Sequence, residues 1–403
     1  MPPALFIATR PGSVALLTFM VALGQMSMGL YTPSMPSMAA ALDTSISQVQ
    51  LTLTVFLAGF AVSQLVWGPV SDRFGRRATL FVGLACFTAA GAACALAETI
   101  EQLIVFRFFQ ALGACSGQVV ARAIVRDSAE GAVAAKVMSY IALSMSLSPA
   151  ITPSIGGLMQ EWFGWRSNFV LLALVGLTLA TLVLARLPET LRVPVPDALW
   201  PGPMRRNYAS LLGDRAYLGH VLMVGGMFGG LMSYQTGSPF VLMDQLGWSP
   251  RAYGLLILFN VFGFLAGSLL ATRYSEAVGS RRMVRFGAVA VLISGLLMLA
   301  FPLAGHLSTA SLLGPMMLLL FGMGIGLPNA FSGALQGFPR IAGSASALMG
   351  FTQMGCGMLA SFAVTRMTGD VYLAVGVVCA VSGVGCFLAQ ALIIPAEVPT
   401  ATD

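Results

Sequence analysis

Twelve runs of about twenty predominantly apolar residues, separated by short polar gaps, fill nearly the whole of this 403-residue chain. In helical form, at 1.5 Å rise per residue, such a run matches the hydrocarbon thickness of a bilayer. Reading from each apolar run to the next charge or Pro/Gly cluster places spans near 13–35, 50–70, 78–98, 102–123, 137–160, 166–187, 216–240, 251–272, 284–304, 309–331, 342–364 and 371–394. Only 9% of the residues are charged, against roughly 25% in an average soluble domain. A water-soluble globule is therefore excluded, and the expected fold class is an all-α integral membrane protein of twelve transmembrane helices. The first run is too long for the core of a signal peptide and is expected to be retained as span one.

Lys and Arg set the orientation. With the N-terminus inside, 17 of the 21 fall on the inner side, including Arg10, Arg73, Arg76, Arg77, Arg122, Arg126, Lys136 and Arg192. The outer loops hold only Arg166, Arg251 and Arg366. This asymmetry predicts a cell-membrane protein with both termini cytoplasmic. It also accounts for the net charge of +6 without a basic patch for nucleic acid. The six cysteines all lie inside apolar runs with no Cys-x-x-Cys pair, so they read as small core residues, with neither a metal site nor a disulfide framework.

One long polar stretch, 188–215, carries Pro188, Pro194, Pro196, Pro201 and Pro203 and divides the spans six and six. It reads as a cytoplasmic linker between a half at 1–187 and a half at 216–394, with a cytoplasmic tail at 395–403. A weak repeat supports two halves. Asp72, Gly75 and Arg77 recur in spacing as Glu276, Gly279 and Arg281, 204 residues later and at the same junction of their half.

The densest charge in the first hundred residues is Gly68-Pro69-Val70-Ser71-Asp72-Arg73-Phe74-Gly75-Arg76-Arg77. Its glycines permit a tight turn and its arginines mark the inner side. The loop could serve topology alone, or Asp72 could cap a helix or pair with an arginine and so hold one conformation closed. Gly68, Asp72, Arg73, Gly75, Arg76 and Arg77 fall on a pattern that resembles the loop signature of the major facilitator superfamily. That resemblance implies a conformational latch and a fold of two six-helix halves.

Three further stretches carry the resemblance. Arg107, with Gln110 behind it, stands as a charge inside a span, which is costly unless it meets water or a partner. Its Arg-Phe-x-Gln-x-x-Gly setting resembles the superfamily's second signature, linked there to proton transfer, which is the reading favoured over simple snorkelling to the nearby interface. In span five, Pro149, Pro153, Gly156 and Gly157 should bend the helix and pack it closely. They resemble the Gly-Pro-x-x-Gly-Gly signature of drug antiporters, with Thr152 in place of the first glycine. The stretches Gly29–Pro36 and Ala121–Asp127 are similar to the bicyclomycin/chloramphenicol-resistance (Bcr/CflA) exporters. Many of those relatives carry an acid where this chain has Gly29.

What the resemblance implies is export of small amphipathic molecules by alternating access, coupled to protons. A dedicated exporter of a metabolite such as a siderophore is the alternative within transport. Away from the ends of the predicted spans no Asp or Glu is found and Arg107 is the one cation expected, so neutral, zwitterionic or anionic cargo is favoured over cationic. Gln25, Tyr31, Tyr234, Asn260, Asn329 and Gln353 are the expected cavity contacts, each also able to serve as an interhelical hydrogen-bond partner. The other expected partners are protons and the bilayer, with no cofactor, and the expected state is a monomer. A membrane enzyme is disfavoured, because His220 and His306 stand near no acid or thiol at useful spacing.

Overall fold

The computed structural model describes residues 11–393, apart from 192, 197 and 199. The expectations for Arg10, Arg192 and the tail at 395–403 lie outside these residues. The long helices are α1 (Pro11–Gly29), α2 (Ile46–Phe74), α3 (Arg76–Ala95), α4 (Ile100–Ser128), α5 (Gly131–Phe163), α6 (Arg166–Arg186), α7 (Arg215–Pro239), α8 (Pro250–Val278), α9 (Ser280–Leu303), α10 (Thr309–Gln336), α11 (Ala342–Arg366) and α12 (Val371–Ile393). Among the described residues, eleven are long and apolar enough to cross a membrane unbent, and α5 makes the twelfth. That helix is bent by 42° between Pro149 and Ile151, where proline removes a backbone hydrogen bond.

Polar residues start the helices that the apolar runs continue. Ser45, Thr99, Asp214, Ser249 and Ser308 each accept a hydrogen bond from the backbone N–H three residues on, capping α2, α4, α7, α8 and α10. Several helices outrun their expected spans. Apolar-run reading stops at the first charge, whereas the helix continues toward the interface, where long basic side chains are tolerated. The consequence matters at α4, which runs to Ser128. Arg122, counted from sequence among the inner-side residues although it falls at the end of the expected span 102–123, lies more than a turn before the end of that helix.

The half-repeat extends to backbone detail. Gly75 and Gly279 both close their helices with positive φ, 96° and 88°, a conformation that glycine adopts freely. Gly75 N–H donates to Ser71 O and Gly279 N–H to Ser275 O, at 3.1 and 3.0 Å. The capping serines Ser45 and Ser249 keep the same 204-residue offset. The fold is thus two six-helix halves, meeting where α2 lies along α11 and α5 along α8. Between them the segment at 188–215 includes a helix, Pro201–Leu212, whose Leu211 is buried with Tyr217 and Ala345. Pro201 and Pro203 do not oppose it, because they occupy the first turn, where N–H groups have no intrahelical partner.

Candidate functional site

A cavity of about 200 Å³ lies between the halves. Its wall is mostly apolar, with Met145, Phe264, Met316 and Met323 among the lining side chains. A few polar groups interrupt it: Gln25 from α1, Gln118 and Arg122 from α4, Tyr234 and Gln235 from α7, Asn260 from α8 and Gln353 from α11. Small-molecule sites have this composition, a greasy wall with a few orienting groups. No carboxylate lines it among the described residues. Asn260 Nδ2 donates to the Tyr234 hydroxyl at 3.2 Å, tying α8 to α7.

Of the residues expected from sequence, Gln25, Tyr234, Asn260, Gln353, Pro149 and Pro153 line this cavity. Tyr31 and Asn329 do not. Asn329 instead donates to Ser275 Oγ and Ile325 O, at 3.2 and 3.0 Å. Gly156 and Gly157 serve packing: a Cβ on either would collide with the carbonyl of Leu30 or Pro250. Sequence reading missed Arg122, Gln118, Gln235 and Met145. The available signal was the four-residue spacing of Gln118 and Arg122, which puts both on one face of α4.

The cavity is sealed at the end remote from the 188–215 linker. There Gln50 Nε2 donates to Thr236 O at 3.3 Å, and the hydroxyls of Thr54 and Ser361 bond at 2.7 Å. Thr236 adds a bond to Ser361 at 2.9 Å, and Ser154 donates to Gly254 O at 2.8 Å. Glycines let α5 and α8 meet closely here, since a Cβ at Gly254 would press on the Pro153 carbonyl. The first, second and fourth of these bonds join one half to the other. Arg122 stands nearer the opposite end, six residues before Ser128, the last residue of α4.

Arg107 is not the cavity's cation, contrary to the sequence expectation. It is fully buried inside the first half. Its guanidinium lies 4.3 Å from the ring centre of Tyr31, 4.1 Å from Phe56 and 5.8 Å from Phe169. It donates to Gln110 Oε1 at 2.7 Å and to Ser27 O at 3.1 Å, while Nε has no partner. Three aromatic faces and two acceptors replace a counter-ion, an arrangement that stabilises a desolvated guanidinium through ring quadrupoles. Tyr31 is held in turn by a 3.2 Å bond to Thr52.

At the linker end, the Gly68–Arg77 loop forms a compact charge network. The buried Arg76 pairs with Asp72 and, at 2.8 Å, with Asp127 of α4. It also donates to Ser71 Oγ at 2.7 Å. Glu189, just past α6, caps α3: its carboxylate accepts from the backbone N–H of Arg76 at 2.9 Å and of Arg77 at 3.1 Å. A carboxylate is favoured there by the positive end of the helix. Gly75 leaves the room this needs, because a Cβ would press on Glu189 Oε2. Arg77 reaches Leu184 O at 2.6 Å, Arg73 leans over the Phe74 ring, and Gly68 faces Val119. These partners all belong to the first half and the segment just after it.

A profile of the Major Facilitator Superfamily matches residues 17–361. The chain is 33% identical to an uncharacterized MFS-type transporter, YdgK, of Bacillus subtilis, covering 86% of both chains. It is 31% identical to multidrug resistance protein D of Escherichia coli, again over 86% of each. Against a bicyclomycin resistance protein homolog of Haemophilus influenzae it is 30% identical, over 87% of this chain and 90% of the other. Among solved structures, the xylose transporter XylE of E. coli, in a partially occluded inward-open conformation, superposes with a TM-score of 0.71 at 16% identity, covering 95% of this chain and 98% of that one. Two six-helix halves around a central cavity, the charged loop at 68–77 and these likenesses agree: the chain belongs to the major facilitator superfamily of membrane transporters and, within it, to the Bcr/CflA group.

Proposed function

We propose that this transporter exports small amphipathic molecules from the cytoplasm by alternating access, in exchange for protons. The observation that carries the reading is the central cavity, shared by both halves and sealed at the far end by hydrogen bonds between them. Breaking those bonds while closing the linker end would turn the same cavity outward. Relatives named for multidrug and bicyclomycin resistance support drug-like cargo. The excess of basic residues on one side supports a cytoplasmic linker end and cytoplasmic termini. The Asp72–Arg76–Asp127 network sits at that end with the Asp72 side chain 38% exposed, available to an approaching second half as a latch.

The test is uptake into everted membrane vesicles of a phenicol, a cationic dye and a hydroxamate siderophore in parallel. Accumulation of the phenicol that collapses with nigericin and valinomycin is the expected result. Accumulation that survives both ionophores would remove proton exchange from the reading, and uptake of the siderophore alone would make this a dedicated metabolite exporter.

A further inference from the structure

α4 carries three arginines, and two of them, Arg107 and Arg122, stand fifteen positions apart, or about 22 Å along a helix. Their surroundings differ completely. Arg107 is enclosed by rings and acceptors within the first half. Arg122 lines the cavity, and its hydrogen bond is a 3.5 Å contact from Nη2 to the thioether of Met145, a weak acceptor for a group with five N–H donors. Among the described residues, no ion pair reaches Arg122 and no other Lys or Arg lines the cavity. One turn away on the same face, Gln118 has a buried side-chain oxygen with no partner.

An unpaired guanidinium is tolerable while water fills the cavity. When the linker end closes and water leaves, the charge loses its hydration and no carboxylate in the wall replaces it. Something that enters with the cargo must supply the counter-charge. A carboxylate or sulfonate matches the planar fork of Arg in two parallel hydrogen bonds. The Gln118 amide can turn an N–H to the same group, and the methionines provide an adaptable surface for an apolar body.

We propose that Arg122 is the anion-binding residue of the cavity, and that the preferred cargo is an amphipathic monoanion whose acidic head pairs with Arg122. The anion is then also the counter-ion that lets the linker end close. This rests on reading the cavity as the transport site.

The test uses two dyes with one skeleton: 8-anilino-1-naphthalenesulfonate, an anion, and N-phenyl-1-naphthylamine, which is neutral. Each is titrated by fluorescence into the purified full chain in nanodiscs, with empty nanodiscs subtracted. In Arg122→Gln, affinity for the sulfonate should fall about ten-fold or more, the value of a charged hydrogen bond. Arg122→Lys should retain most of it, and the neutral dye should bind all three proteins equally. Unchanged sulfonate affinity in Arg122→Gln would overturn the proposal; so would parallel loss of both dyes, the mark of a structural role. Should Arg122→Gln not fold, the wild type alone decides: naphthalene-2-sulfonate should displace the bound sulfonate dye at about one tenth the concentration of naphthalene-2-methanol, and equal displacement overturns the proposal. Binding is read without flux, so the two readings fail separately. Phenicol export with no sulfonate preference refutes the anion site alone, and sulfonate preference without export of any cargo refutes the export reading alone.

Discussion

Gly29 of α1 and Thr152 of α5 compete for one volume: a Cβ on residue 29 would collide with the Thr152 hydroxyl. Those two positions are also where the chain departs from its family's patterns, one lacking an acid and the other holding threonine for glycine. If the two departures form a single exchange across the α1–α5 contact, the two positions are energetically coupled. Thr152 is fixed there by a 2.7 Å bond to Ser148 O. Gly29→Asp alone should destabilise the protein by about 1–3 kcal/mol or more, from overpacking plus a buried unpaired charge. Adding Thr152→Gly should recover much of that loss, although glycine inside a helix itself costs about 1 kcal/mol. Thermal unfolding of the two single variants and the double variant in detergent measures the coupling. Additive effects would refute the exchange.

The Arg107 cage should respond to ring chemistry more than to hydroxyl loss. Tyr31→Phe keeps the aromatic face and gives up the hydroxyl with its bond to Thr52, so a loss of about 1 kcal/mol is expected. Tyr31→Leu removes the face as well, adding a cation–π loss of about 1–2 kcal/mol. A ranking of unfolding temperatures, wild type above Phe above Leu, is the check; equal values for the two variants would remove the cage from the account.

Glu189 is a single carboxylate serving four backbone N–H groups, those of Arg76, Arg77, Thr190 and Leu191. Glu189→Gln halves the acceptor oxygens and removes the charge at the start of α3. Stability should fall by about 1–2 kcal/mol. Asp72→Asn should act differently, slowing turnover in vesicles while expression and insertion stay intact. Wild-type flux in Asp72→Asn would reduce the loop to its topological role.

Bulk at Gly254 should keep the far end from closing, because the Pro153 carbonyl lies where a side chain would go. Spin labels at Gln48→Cys and Thr368→Cys, exposed positions on opposite halves, report the gap once the native cysteines are replaced. Gly254→Val should lengthen the label distance and lower turnover. An unchanged distance distribution would show that the α5–α8 contact does not set closure.

The fold was legible because a bilayer imposes a length, and the lengths of the apolar runs answer it. The halves were legible through backbone requirements, with Gly75 and Gly279 needed for the same positive φ. The site was harder for a physical reason. In a helix apolar on every side, periodicity does not mark the face that turns to the cavity, so Tyr31 and Tyr234 looked alike although one braces Arg107 and the other lines the pocket. Arg122 was obscured differently: a basic residue in the last turns of a span ordinarily belongs to the interface. Only the packing of α4 against its neighbours turned it inward.

The far-end seal also sets an energy scale. Its three bonds between halves, from Gln50, Thr54 and Ser154, contribute about 1 kcal/mol each net, so about 3 kcal/mol together. Taken alone, those bonds would bias the two forms by about a hundred to one. A cargo whose affinity differs about a hundredfold between the inward and outward forms would bring them to parity. Hydroxyls and one amide thus define how selective a passenger must be before the door turns.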